Sequence, residues 1–152
     1  MAIVSGKSNL AMVPSDENYV QADPHRLRGR PVYATDSVSN AADDSNGSKY
    51  KLVDLPSNCL MLPDTFFDVE NWGFAQVVIG TESDTDAVLD VLRSAATVQN
   101  PFAQGDANHG LELWEILGLA SDPGGTIALW VHAEADATAA GTMPFQIAYL
   151  TH

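Results

Sequence analysis

The sequence predicts an all-β protein: an antiparallel sandwich of two sheets, arranged as a jelly roll, with an extended N-terminal arm and one short helix. Apolar residues recur with period two in the C-terminal part, where one face of each run holds Ile127, Leu129 and Val131, and Phe145, Ile147 and Tyr149. Glycine, proline and aspartate bound these runs, as expected for strands joined by turns. About seven or eight such strands with few helical stretches favour a sandwich over parallel α/β architecture.

The elements follow from the same signals along the chain. The predicted strands are Pro31–Val38, Lys49–Leu55, Cys59–Leu62, Thr65–Val69, Phe74–Ile79, Leu111–Leu117, Thr126–Glu134 and Thr142–Thr151. The pair Asn46-Gly47 predicts a tight turn. In the second strand, alternation predicts Tyr50 and Leu55 on opposite faces. Both faces of the C-terminal strands are fairly apolar, so we expect this sheet to be covered on both sides.

A helix is predicted within residues 81–98. Ala87, Val88, Val91, Leu92 and Ala95 recur there at helical spacing. Ser83 or Asp84 can cap the start, where acidic residues also interact favourably with the helix dipole.

The chain divides into an arm, residues 1–30, and a β-sandwich domain, residues 31–152. The arm has scattered apolar residues, Pro14 and Pro24, and no sustained period, so it has no core of its own. Two interpretations stay open: the arm contacts a partner surface, or it wraps over its own body.

The charge is large and uneven. The formal net charge is −13, and residues 1–51 hold six of the seven basic residues. Such a charge argues against nucleic acid and against an anionic membrane surface as direct partners, since both attract lysine and arginine. The arginines at the end of the arm, Arg26, Arg28 and Arg30, suit bidentate contact with carboxylates of a partner, and a solvated polar loop is the alternative.

Other features favour a protein made in a cytoplasm. A basic start and apolar run typical of a secretory signal are not seen, and no stretch approaches the roughly 20 apolar residues of a membrane span. The lone cysteine, Cys59, excludes an intrachain disulfide and is interpreted as a small buried residue.

Catalytic signatures are not recognisable, so the sequence predicts a non-enzymatic protein without cofactor or metal. The segment Glu82-Ser83-Asp84-Thr85-Asp86 does not match an EF-hand, and helix capping explains its acids. His109 and His132 do not have ligand-type spacing and are expected at the surface or an interface. The three tryptophans, Trp72, Trp114 and Trp130, are interpreted as core or interface anchors.

Several strand-and-turn motifs are shared with a known kind of protein. They comprise Val53-Asp54-Leu55-Pro56, Phe66-Phe67-Asp68-Val69, Val77-Val78-Ile79-Gly80-Thr81 with Asp84 and Asp86, Gly125–Val131, Thr138–Thr142 and Phe145–Tyr149. From about Lys49 to the C-terminus, the chain resembles small β-sandwich proteins on the heads of tailed bacteriophages and gene-transfer particles. These are decoration or cement proteins, or bases of head spikes.

The resemblance implies a structural virion protein that binds the major capsid protein on the capsid surface. It also implies a homo-oligomer, for which we expect a trimer, with a pentamer also open. Trp114 and Trp130 are the candidate anchors of that association. The alternatives are a head-spike base, a tail or baseplate adaptor and, from a different class, a carbohydrate-binding β-sandwich. The last would need an exposed tryptophan or tyrosine in a groove beside Asp or Asn.

Overall fold

The computed structural model describes residues 4, 7–11, 13–21 and 29–151. The described part contains nine strands. They are β1 (Arg30–Asn40), β2 (Lys49–Pro56), β3 (Leu60–Met61), β4 (Phe66–Asp68), β5 (Gln76–Gly80), β6 (Leu89–Leu92), β7 (Val98–Gln99), β8 (Thr126–His132) and β9 (Gly141–Thr151). An α-helix, α1 (Leu113–Ile116), and two short 3₁₀ turns, Asn9–Ala11 and Arg93–Ala95, complete the described elements.

The strands form two antiparallel sheets, which confirms the predicted sandwich. One sheet has the order β1-β9-β4-β7, with β3 also paired to β9, and the other has the order β2-β8-β5-β6. The pairs β1–β9, β2–β8, β4–β7 and β5–β6 follow one another as in a long double ribbon. The ribbon folds back on itself where β9 meets β4 and β8 meets β5. This strand order is that of a jelly roll.

The core lies between the two sheets and is built from the predicted strand faces. Met143, Phe145 and Ile147 of β9 are buried and alternate with the more exposed Thr142, Pro144 and Gln146. Trp72, fully buried, meets the Tyr50 ring edge-on, with 5.4 Å between centroids. The other large, fully buried side chains are Leu55, Phe67, Val69, Val77, Val78, Ile79, Leu113, Leu129 and Val131.

The predicted helix within residues 81–98 is wrong. Leu89–Leu92 forms strand β6, whose residues pair with Gln76–Ile79 of β5. A tight turn precedes it, in which the Thr81 and Asp84 backbones are joined and Asp84 N donates to Thr81 Oγ1 at 3.0 Å. The spacing of the apolar residues is compatible with a helix and with a strand. Residues 89–92 form a strand because their backbone N–H and C=O groups find hydrogen-bond partners in β5. Helix capping therefore does not account for the acids of residues 82–86.

The predicted strand Leu111–Leu117 is also wrong, since it contains α1. Glu112 and Glu115 form a reciprocal capping box, and Glu112 N donates to Glu115 Oε2 at 2.8 Å. Leu113 is buried, and Ile116 and Leu117 pack against the core at helical spacing. Only Glu112 retains a strand-like contact, an isolated bridge to Leu60.

A bulge between Lys51 and Val53 changes the faces of β2. Tyr50 and Leu55, predicted on opposite faces, both contribute to the core because the extra residue shifts the alternation.

The prediction that the sheet of the C-terminal strands is covered on both faces is confirmed in part. Leu117 and Leu119, which follow α1, border the outer face of β8 at Trp130. The outer side of β9 is exposed at Thr142 and Pro144, whereas Ala148 is buried.

Candidate interaction surfaces

The outer side of the β1-β9-β4-β7 sheet is a surface that carries little charge. We call it the neutral face. By the strand register its side chains share one side of the sheet, and they are Tyr33, Thr35, Ser37, Ser39, Phe66, Asp68, Val98, Thr142, Pro144 and Gln146. Asp68 is the charged member of this set, on a protein whose net charge is −13.

Hydrogen bonds between strands hold the neutral face in place. Ser39 Oγ and Thr142 Oγ1 lie 2.9 Å apart, and Thr35 Oγ1 donates to Gln146 Oε1 at 3.4 Å. Tyr33 Oη donates to Asp64 Oδ2 at 3.1 Å, and this carboxylate raises the pKa of the Tyr33 hydroxyl above its usual range. The face is therefore a preorganised surface of hydroxyl, amide and apolar groups, suited to contact another protein.

A groove of about 620 Å³ lies on the outer side of the other sheet. Trp130 of β8 lines it together with Leu117 and Leu119 on one side, and with Glu82 and Asp84 on the other. Lys49 Nζ lies 4.9 Å from the centre of the Trp130 ring and also pairs with Glu82. This ion pair lowers the pKa of Glu82. One face of the tryptophan is thus already covered by a cation.

A second cavity, of about 420 Å³, lies where the arm meets the domain. Leu10 of the arm lines it with Met61, Phe102, His109 and Leu150. Leu10 stays 45% exposed, so it fills the cavity only in part. Leu10 of the arm therefore contacts the β-sandwich domain of its own chain. For this residue, the contact supports the interpretation that the arm wraps over its own domain.

The residues that the sequence predicts to bind a partner do not form one cluster among the residues that the structure describes. Arg26 and Arg28 lie outside the described residues. Arg30 begins β1 and is exposed, with Thr151 as its cross-strand neighbour.

The two candidate tryptophan anchors lie on different elements. Trp114 is half-buried on α1 and donates Nε1–H to Glu112 Oε2 at 2.5 Å. Trp130 is half-buried in the groove, which Trp114 does not line. Sequence reasoning missed the neutral face, although the run of Ser, Thr, Pro and Gln at alternate positions of the first and last strands was a usable signal.

Candidate chemical groups are few. Cys59 is buried as predicted, and burial raises the pKa of its thiol to about 12, so it is not a reactive thiolate at neutral pH. His132 Nε2 lies 2.9 Å from Thr81 O, and His109 is exposed. Within the residues that the structure describes, no group of three or more His, Cys, Asp or Glu is placed to hold a metal ion. None of the helices in those ranges is long and apolar enough to span a membrane.

Comparisons of the chain with protein-family models, with curated proteins and with solved structures give no match. The residues of this chain therefore carry the functional inference.

Proposed function

We propose that this protein is a non-enzymatic structural component of a bacteriophage particle, which binds the outside of the capsid and decorates or stabilises it. Its direct partner is the major capsid protein, and several copies associate on the particle, as a trimer or, at a vertex, a pentamer. The proposal combines the strand-and-turn resemblance with the surface chemistry of the sandwich. A fold alone would not suffice, because sandwiches host many functions.

The observation that carries the proposal is the neutral face. Charged residues are depleted in the buried centre of protein interfaces, whereas aromatic residues are enriched there. Tyr33 and Val98 on this face are 52% and 51% exposed. On a chain with 20 acidic residues, such a face is where another protein surface can approach with few carboxylates to desolvate, namely Asp68 on the face and Asp64 beside Tyr33.

The experiment places a negative charge on the neutral face. Ser37→Asp and Thr35→Asp should each weaken binding to particles that lack the protein by about tenfold or more, since an unpaired buried charge is costly at an interface. Thr126→Asp, an equal change in charge on an exposed residue of β8, is the matched control and should bind normally. Binding is measured by co-sedimentation. Full binding by both face variants would overturn the proposal, and equal weakening by the control would assign the effect to net charge.

Copy number in purified particles then separates the related roles. A decoration protein should match the number of lattice positions of the capsid, whereas a spike base or a tail adaptor should be present in a few copies. Quantitative gel analysis of particles from cells that carry the gene gives this number.

A carbohydrate-binding role is the second candidate, and one observation favours it. The groove beside Trp130 also holds Glu82, Ser83 and Asp84, so a half-buried tryptophan lies beside an aspartate in a groove. Lys49 over the Trp130 ring weighs against it, because a sugar would have to displace that cation before stacking on this side. A glycan-array signal that Trp130→Ala abolishes, with particle binding unchanged, would support this role as an additional one.

A further inference from the structure

The outermost strands of the two sheets are protected to different degrees against pairing with another chain. Exposed edges are normally kept short, charged with lysine, or distorted by a bulge. β6 and β7 contain 4 and 2 residues. β2 carries Lys49 and Lys51 and is bulged between Lys51 and Val53. These three edges are therefore poor templates for a further strand.

β1 lacks these protections. It is 11 residues long, contains no lysine, and pairs with β9 over its whole length without a register shift. In the part of the chain that the structure describes, no strand pairs with its other edge. Pro31 cannot donate a backbone hydrogen bond, but it stands near the start of the strand, and most of the strand stays open to pairing.

The charges of β1 are self-complementary. Arg30 and Asp36 are its charged residues, and both are exposed. They lie an even number of positions apart, so they share one side of the strand. One carboxylate oxygen of Asp36 accepts from Ser37 N at 2.8 Å. The strand therefore has no net charge, although the whole chain carries a net charge of −13. Two anionic copies can approach each other along it.

We propose that β1 pairs with β1 of a second copy of this chain, antiparallel, about a two-fold axis that passes beside Tyr33. In this register Arg30 of each copy lies opposite Asp36 of the other, and Val32 lies opposite Ala34. Tyr33 then meets Tyr33 of the second copy on the neutral face. The contact is isologous, as two-fold interfaces are, and it joins two sandwiches through one continuous sheet.

Charge favours this register over two others. A two-fold axis beside Arg30 would place the two copies of Arg30 opposite each other. A two-fold axis beside Asp36 would place the two copies of Asp36 opposite each other. Opposite charges directly across an antiparallel pair stabilise it, and like charges destabilise it. The axis beside Tyr33 is the one that forms two Arg30–Asp36 pairs at once.

Charge reversal in the isolated full-length protein tests the pairing. Arg30→Asp and Asp36→Arg should each weaken dimerisation by about tenfold, because each turns both cross-strand pairs into repulsions. The double variant should restore the dissociation constant of the natural chain. Sedimentation velocity at about 0.15 M salt gives that constant, and screening at this ionic strength limits the effect of net charge itself.

Disulfide cross-linking tests the register. Tyr33→Cys places two thiols across the axis within the Cα separation of about 4.4–6.8 Å that a disulfide accepts, so mild oxidation should give covalent dimers. Ser37→Cys is the matched control on the same face, where the two thiols would lie about 26 Å apart. Cys59 is buried and does not compete.

Circular dichroism first establishes that each variant is folded. A chain that stays monomeric at every concentration would overturn the proposal, as would cross-linking at Ser37→Cys instead of Tyr33→Cys. Failure of the double charge variant to restore the dimer would do the same. These measurements use no particles, so they stand apart from the capsid-binding test.

Discussion

At the scale of single residues, Asn40 at the end of β1 ties three segments together. Its buried side-chain amide donates to Ala41 O at 3.0 Å and to Ala139 O at 2.9 Å, and its oxygen accepts from Gly73 N at 3.1 Å. Gly73 packs so closely that an added Cβ would lie 2.1 Å from Ala139 O. Only glycine fits beside this amide. The cluster therefore closes one end of the sandwich.

Removal of that amide should be costly. Asn40→Ala leaves the N–H of Gly73 and the carbonyl of Ala139 without these partners, and we expect a loss of about 2–4 kcal/mol in the free energy of unfolding. Urea denaturation measures it. Ser45→Ala, at an exposed position in the turn that follows, should change stability by less than about 0.5 kcal/mol. An Asn40→Ala variant as stable as the natural chain would show that the cluster is not needed.

Asp44 should make the free energy of unfolding depend on pH. The hydroxyl of Tyr50 and the backbone N–H of Ala41 both donate to this carboxylate and hold the pKa of Asp44 below its usual range. A carboxyl whose pKa is lower in the folded state stabilises the fold at neutral pH, and this contribution disappears as the pH falls through the folded pKa.

The difference in stability between the natural chain and Asp44→Asn should therefore be largest near neutral pH and shrink between about pH 5 and pH 2. Denaturant unfolding across that range measures it. Asp43→Asn, at the exposed neighbouring position, is the control for the loss of one negative charge. A difference for Asp44→Asn that does not change with pH would contradict the expectation.

At the scale of elements, we expect the arm to be separable from the domain. Within the described part of the arm, backbone hydrogen bonds join arm residues to each other, as from Ala11 N to Ser8 O and from Asp16 N to Val13 O. Val4 is 83% exposed and Val20 is 62% exposed, so these apolar side chains are free to contact a partner. The arm therefore adds little to the core and offers apolar groups for binding.

Deletion of residues 1–28 should leave a folded domain, with a free energy of unfolding within about 1 kcal/mol of the full chain, since no core residue is among the arm residues that the structure describes. The same deletion should abolish binding to particles in the co-sedimentation assay. Unchanged binding would reject a partner-contacting arm and leave the arm that wraps its own body.

A triple change of Arg26, Arg28 and Arg30 to alanine separates charge from apolar contact. Buried arginine–carboxylate pairs can lose roughly 3–5 kcal/mol when one partner is removed, and exposed pairs under about 1 kcal/mol. Lost binding by this variant would assign the contact to the arginines.

At the scale of the whole molecule, we expect the net charge to oppose association of copies. A charge of −13 on each chain makes copies repel one another over a distance that salt shortens. We therefore expect association of the isolated protein to strengthen as salt is added. Light scattering and native mass spectrometry over a salt series measure this. A complex of three chains would support the expected trimer, and even-numbered complexes would indicate β1 pairing. A chain that stays monomeric at every salt concentration would contradict both.

The sequence by itself determined the all-β class and most of the strands, because alternation is a local property. A strand such as Gly141–Thr151 shows it in its own residues. The buried state of Cys59 followed from residue type in the same way. The uneven charge, likewise, needed no structure to be recognised.

Only the tertiary structure decided the features that depend on contacts between segments distant in the sequence. Residues 89–92 are a strand because β5 offers paired backbone groups, and residues 113–116 are a helix because Glu112 and Glu115 cap it and Leu113 enters the core. The neutral face exists only because the jelly roll brings β1, β9 and β4 side by side. The open edge of β1 has the same origin, since which strand lies outermost is fixed by pairing between distant segments and not by the composition of any one of them.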